Sequence, residues 1–160
     1  MSKKNIKKDF QAPSLSYDEL LSDFQAILKK NGLKYTKQRE LILKALYQNN
    51  GHFSPEVLYN LVQEEDPDMN IGIATVYRTL GLLEDEGLVS SLSFGAQGKK
   101  YELGVKEHHD HIICSECGKI VEFCDEVIEK RQEEIAKHFK FKITDHSMKI
   151  YGICPDCQKS

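Results

Sequence analysis

Two C-x-x-C pairs, CSEC at 114–117 and CPDC at 154–157, constrain this chain more than anything else in it. Thiolates in two such knuckles, one from mid-chain and one near the C-terminus, match the tetrahedral sulfur set of a structural zinc site. A single C-x-x-C is compatible with a redox pair, but two in one small domain point to ligation. The intervening residues 118–153 must then fold so that the second pair returns to the first. Zinc at Cys114, Cys117, Cys154 and Cys157 therefore predicts a compact C-terminal domain closed by its metal. Cys124 stands outside the pairs, as a small hydrophobe in a core or as an oxidisable thiol.

The segment leading into the first pair is HHDHIICSEC, residues 108–117. Imidazole and carboxylate form a borderline-to-hard set suited to Fe(II), Mn, Co, Ni or Zn, unlike the soft thiolates beside them. If the segment is extended, His109 and His111 point to one face and His108 and Asp110 to the other, because side chains alternate along a strand. One short stretch then feeds two further metal sites. Candidates for the remaining ligands are His52, Glu102, Glu122, Glu129 and His146.

The first hundred residues read as helices. Ser16-Tyr-Asp-Glu19 is a capping box ahead of Leu20, Leu21, Phe24, Ile27 and Leu28 at helical spacing, with Asn31-Gly32 as a stop. A second helix follows Thr36 and presents Leu41, Ile42, Ala45 and Leu46. A third opens at Ser54-Pro55 and carries Val57, Leu58, Leu61 and Val62. The fourth, within IGIATVYRTLGLLEDEGL, is expected to bury Ile73, Val76, Tyr77, Leu80 and Leu83, to present Ala74, Thr75 and Arg78 on the other face, and to stop at Gly87. LVSSLSF and KKYEL around Gly95–Gly98 read as a β-hairpin. This order spells a winged helix-turn-helix, with the fourth helix entering the major groove. Small Ala74 and Thr75 permit close approach to base edges, and Arg78 is suited to guanine or phosphate.

Past Leu103 the pattern changes. HIIC, KIVEFC, FKITD and MKIYGIC read as short strands around one helix from Glu126 to His138, with Ile128 and Ile135 on its apolar side. The fold class is thus α+β: residues 1–103 as a winged-helix domain with 1–16 as an N-terminal extension, 104–107 as a hinge, and 108–160 as a small α/β dimerisation and metal-binding domain.

Charge places a condition on any DNA contact. The net charge is −3. Residues 1–104 hold 13 Lys and Arg against 14 Asp and Glu, and the remainder 9 against 11. Phosphate recognition must therefore use local patches, such as Lys3, Lys4, Lys7 and Lys8, or Lys29, Lys30, Lys34, Lys37 and Arg39. No apolar run approaches membrane-spanning length, and MSKKNIKKDF has no apolar stretch behind its charge, so the expected compartment is the cytoplasm.

GLKYTKQR (32–39), IGIATVYRTL (71–80), KKYEL (99–103), HHDHIICSECGKIVEF (108–123) and the terminal CPDC together resemble the ferric uptake regulator family, over nearly everything from residue 20 to 157. The resemblance implies a homodimeric, metal-dependent transcriptional regulator, chiefly a repressor of metal uptake and homeostasis genes, and not an enzyme. It implies structural zinc on the four cysteines. It implies a regulatory site of His52, Glu102, His109 and His111 with Glu122, and a third site of His108, Asp110, Glu129 and His146. Fe(II) is the implied regulatory metal, with Zn, Mn or Co able to substitute. Tyr77 and Arg78 match the recognition helix and Lys34 a minor-groove contact, with Arg39, Ala74 and Thr75 as neighbours; the implied partner is double-stranded DNA with an inverted-repeat, A·T-rich operator. Glutamates at 102 and 122 resemble the iron-sensing branch, where the peroxide-sensing branch tends to place aspartates. The alternatives are a peroxide- or zinc-sensing regulator of the same family and, further off, a zinc-ribbon interaction module or a C-x-x-C thiol oxidoreductase.

Overall fold

The computed structural model describes residues 6–7, 15–93, 98–104 and 107–159. The chain divides into two compact units, Gln11–Lys106 and a second made of Glu107–Ser160 with Met1–Phe10.

The first unit packs four helices and a hairpin. Helix α1 (Tyr17–Lys30) is nucleated by Ser16, whose Oγ accepts from the Glu19 N–H while the Glu19 carboxylate accepts from the Ser16 N–H at 2.9 Å. Thr36 caps α2 (Lys37–Gln48) and Ser54 caps α3 (Pro55–Glu65) in the same way. Helix α4 (Ile73–Asp85) starts from Gly72 without a side-chain cap. It ends at Gly87, whose φ of +78° lets the Leu88 N–H reach the Leu83 carbonyl at 2.9 Å. Strands β2 (Val89–Ser93) and β3 (Lys99–Leu103) form the antiparallel wing. The core joins Leu20, Phe24 and Leu28 of α1, Ile42, Leu43 and Leu46 of α2, Leu58 and Val62 of α3, Val76, Leu80 and Leu83 of α4, and Val89, Tyr101 and Leu103 of the wing.

Two expected core residues of α4 lie outside it: Ile73 and Tyr77 are exposed. The buried stripe runs instead through Val76, Thr79, Leu80 and Leu83, so the apolar character of Ile73 and Tyr77 serves a surface and not the core.

The second unit is built on a four-stranded sheet in the order β1-β5-β4-β6, from β1 (Ile6–Lys7), β4 (Asp110–Cys114), β5 (Ile120–Asp125) and β6 (Lys149–Gly152). Ile6 and Lys7, which the sequence places in an N-terminal extension, pair through their backbone with Asp125 and Cys124 of β5, in the second unit. At the start of the expected hinge, the Gly104 N–H donates to the Leu88 carbonyl at 2.8 Å, within the first unit.

Helix α5 (Glu126–His138) follows β5 directly, capped by Asp125, whose Oδ1 accepts from the N–H groups of Val127 and Ile128. FKITD, expected as a strand, is not one. The Phe141 N–H closes the helix end by donating to the Ala136 carbonyl, with Lys140 at a φ of +60°, so the segment begins as a helix stop and joins no ladder. None of α5 is buried, Ile128 and Ile135 included. Cys124 is half-buried on β5, which places it outside any core.

Candidate metal centres and nucleic-acid interface

The four paired cysteines come together as the spacing requires. The Gly118 N–H returns to the Cys114 carbonyl at 3.0 Å with Gly118 at a φ of +73°, forming the turn that swings Cys117 beside Cys114. Parallel pairing of β4 with β6 sets Cys114 opposite Gly152, and the Ser115 N–H donates to the Gly152 carbonyl, which carries Cys154 to the same end. Cys117 and Cys154 stand 3.7 Å apart at sulfur, and one ligand atom from each of the four cysteines fits within 4.8 Å of the others. The N–H groups of Cys117 and Cys154 hold the Cys114 thiol down at about 6. Hydrogen bonding to the Cys154 and Cys117 thiols pushes Cys157 up to about 12. One sulfur is thus poised as a thiolate while Cys157 resists losing its proton, the behaviour of a ligand set that needs a cation to ionise fully.

Strand β4 separates the imidazoles as alternation predicts. On one face, antiparallel register places His111 opposite Glu122. The His109 ring packs edge-on against His111, with centroids 4.8 Å apart, and its Nε2 lies 3.7 Å from Glu122 Oε1. His109 Nδ1 sits 2.8 Å from the Glu107 carbonyl, which fixes the N–H on Nδ1 and leaves Nε2 as the basic nitrogen. In the first unit, an isolated bridge between Phe53 and Tyr101 brings the residues beside them into register. His52 Nε2 consequently lies 3.0 Å from Glu102 Oε2, with both side chains buried.

On the other face of β4, His108 Nε2 lies 3.3 Å from Glu129 Oε1 of α5, and His146 Nε2 lies 2.8 Å from Glu129 Oε2. The two rings are 4.2 Å apart. These three residues can offer one ligand atom each within a sphere that holds an ion. Asp110, the fourth expected ligand, stands beside them: fully buried, 3.6 Å from His108 Nε2, with its Oδ1 accepting the Met148 N–H at 2.9 Å. Four polar atoms on or beside this cluster are buried without a hydrogen bond, namely Asp110 Oδ2, Glu129 Oε1, Gln132 Oε1 and His146 Nε2; the 2.8 Å approach of His146 to Glu129 is close but lacks the alignment of a hydrogen bond. Unpaired buried polar atoms are costly, and a divalent ion held by His108, Glu129 and His146 would satisfy those of Glu129 and His146, so these residues fit one.

The residues expected to contact DNA lie on α2, on α4 and in the segment before α2, all in the first unit. Ala74, Tyr77, Arg78 and Lys34 are exposed, and Thr75 and Arg39 are half-buried. Arg39, Thr75 and Arg78 line a cleft of about 130 Å³ with Thr36, Gln38 and Thr79, three residues that helical periodicity does not single out. The Arg39 guanidinium donates to the Lys34 carbonyl, tying the segment before α2 to that helix. Arg78 Nη2 donates to Thr75 Oγ1 at 3.4 Å, and the Tyr77 hydroxyl donates to Glu56 of α3. Glu56 is thus an acidic neighbour of Tyr77 that sequence alone does not reveal.

The profile of the Ferric uptake regulator family matches residues 30–151. The ferric uptake regulation protein of Campylobacter jejuni is 56% identical over 144 residues, 90% of this chain and 92% of its own length. The solved structure of the Helicobacter pylori ferric uptake regulator, described as revealing three functional metal-binding sites, superposes with a TM-score of 0.83 at 42% identity, covering 92% of this chain and 97% of that one. The Francisella tularensis regulator, solved with iron, matches with a TM-score of 0.69 at 38% identity over 79% of this chain and 96% of that one.

Proposed function

The chain belongs to the ferric uptake regulator family, and on that premise we propose a division of labour among its three ligand sets. It is a metal-dependent, DNA-binding transcriptional regulator, read as iron-responsive and mainly a repressor of metal uptake and homeostasis genes. It acts as a regulator rather than an enzyme, in the cytoplasm, where its DNA is. Among the described residues no helix is long and apolar enough to cross a membrane.

The four cysteines hold a structural zinc that closes the second unit. His52 and Glu102 of the first unit, with His109, His111 and Glu122 of the second, form the regulatory set. His108, Asp110, Glu129 and His146 form the third. A divalent ion, Fe(II) first with Mn, Co or Zn able to substitute, supplies a multidentate link among whichever side chains bind it. The work of the chain is to present those side chains. Glu107 orients His109, the β4–β5 register aligns His111 with Glu122, and the Phe53–Tyr101 bridge holds Glu102 against His52. Drawing ligands of both units to one ion restricts the angle between them, and in a homodimer this sets the separation of the two recognition helices. Half-sites repeat about once per helical turn, so a wrong separation forfeits one of them. A coupling of about 1–3 kcal/mol would change operator affinity roughly 5- to 150-fold.

Dimerisation through the second unit is supported by its exposed apolar side chains, among them Phe139 at 65%, Phe141 at 75% and Tyr151 at 57% exposure. For DNA, Arg78, Tyr77, Thr75 and Ala74 read base edges in an inverted-repeat, A·T-rich operator while Lys34 and Arg39 approach the backbone or minor groove. The observation that carries this reading is the two-faced β4, one strand delivering separate hard-ligand sets to opposite sides. The test is a metal-by-metal titration of operator binding at stated salt, with the zinc content held constant. Affinity that rises with Fe(II) or Mn(II) in the native chain, and stays flat in a Glu102→Ala, His109→Ala double variant, is the expected result. Metal dependence that survives the double variant would refute the regulatory assignment.

A further inference from the structure

We propose that Gln132 is an additional oxygen ligand of the third metal site, giving His108, Asp110, Glu129 and His146 a fifth protein donor. The proposal rests on the third ligand set above and deepens it. Gln132 lies three residues beyond Glu129 on α5, the spacing that places two side chains on one helix face. It lines a cavity of about 530 Å³ together with His146. Its Oε1 is buried and accepts no hydrogen bond. Among the described residues only six side-chain polar atoms are buried in this state, and four of them belong to Asp110, Glu129, Gln132 and His146. The other two, on Tyr17 and Thr79, lie in the first unit. That concentration is the reason for including the amide: a glutamine left out of the site would be expected to pair its oxygen with a backbone N–H or solvent, as buried amides do.

The consequence is a change in metal preference. Two imidazoles and two carboxylates suffice for a four-coordinate ion. A fifth, neutral oxygen expands the set toward the five- or six-coordinate geometry that Mn(II) and Fe(II) favour over tetrahedral zinc. Because the amide carries no charge, it adds a donor without adding to the repulsion between Asp110 and Glu129.

The test uses the full chain with its cysteine-bound zinc retained, in a His109→Ala background that weakens the regulatory set. Mn(II) affinity of the remaining exchangeable site is measured by competition with a chelating dye, and Co(II) is used as a spectroscopic probe. Gln132→Leu should lower Mn(II) affinity by about 10-fold or more, and should intensify the Co(II) visible bands as the ion drops to four ligands. Gln132→Glu retains the oxygen and should hold Mn(II) at least as tightly as the parent, with weak Co(II) bands. A residue that merely positioned Glu129 or His146 would shift affinity without changing the Co(II) band intensity, and that result overturns the ligand assignment. So does a Gln132→Leu variant whose titration and spectrum equal the parent's, or a Gln132→Glu variant that binds more weakly. If His108→Ala also leaves the Mn(II) titration unchanged, the third set itself fails, which separates the two questions.

Discussion

Removing zinc from the four cysteines should unfold the second unit and leave the first intact. The reasoning starts from how little the second unit buries. Among its described residues only Ile113, Cys114 and Phe123 are buried hydrophobics, and α5 contributes none. With Cys114 set aside as a ligand, Ile113 and Phe123 at about 2 kcal/mol each supply roughly 4 kcal/mol before any ordering cost. Bringing Cys117 to Cys154 closes a 37-residue separation, which in chain-entropy terms costs about 4 kcal/mol by itself. Ligation of structural zinc contributes on the order of 10 kcal/mol, more than the packing it accompanies. A Cys154→Ser, Cys157→Ser variant, or stoichiometric chelation, should therefore abolish amide protection in β4, β5 and β6 while α1–α4 keep theirs. Sedimentation should show monomer in place of dimer. Hydrogen exchange read by mass spectrometry resolves the two units in one experiment. Protection of residues 110–114 and 149–152 that persisted in protein shown to lack zinc would refute the reasoning, because the sheet would then stand on its own packing.

Other outcomes follow from single contacts. Arg78→Ala should cost about 1–3 kcal/mol of operator affinity and relax preference at the base it reads, whereas Lys34→Ala should weaken binding to all sequences alike and reduce the salt slope by about one, both measurable by fluorescence anisotropy across a salt series. Leu80→Ala, in the fully buried stripe of α4, should destabilise the first unit by about 2–5 kcal/mol in denaturant unfolding. The Glu40 carboxyl is held below its usual range chiefly by the Tyr35 hydroxyl and then by Lys37. Its lowered folded value means that this interaction stabilises the fold above the ordinary carboxylate range and is lost as pH falls through the folded value. Tyr35→Phe should accordingly move the Glu40 titration upward in an NMR pH series.

What could be read from sequence was what short-range chemistry determines. Ser16, Thr36 and Ser54 announce helix starts because a hydroxyl at an N-cap satisfies an orphan N–H, and each does so here. Gly87 ends α4 and the cysteine pairs meet for equally local reasons. The failures lie where apolar character has a destination outside the element's own unit. Ile73 and Tyr77 obey the helical period of a core face yet are exposed, and on α5 Ile135 is exposed and Ile128 half-buried. Periodicity reports a face, and cannot distinguish the core from a nucleic-acid or subunit surface. Phe141-Lys-Ile-Thr-Asp145 has strand composition, but the Phe141 N–H was already committed to the end of α5. The pairing of Ile6 and Lys7 with β5 is a contact far apart in sequence for which no pattern in residues 1–16 prepares. Gln132 went unnoticed because an amide on a helix has a bland default, and only its buried, unpaired oxygen distinguishes it.

The strand β4 explains why the chain places hard and soft ligands in one short run. Its residues 110–114 are locked on both sides, antiparallel to β5 and parallel to β6, so it moves as a unit or not at all. His108 and Asp110 serve one face, His109 and His111 the other, and Cys114 the end, all on or beside a single five-residue rod. A shift of that rod of even a fraction of an ångström is felt by every set at once, because ligand distances tolerate only about 0.2 Å. Thermodynamic reciprocity then applies among them: any change in sheet geometry by which one set favours its ion must be returned as altered affinity at the others. On the proposed assignment, zinc on the four cysteines would pin Cys114 to the segment after β6 and so fix the position of the rod. Loss of that zinc, by unfolding the second unit, should therefore remove Mn(II) sites in proportion to the zinc missing, while the zinc-loaded fraction keeps its affinity.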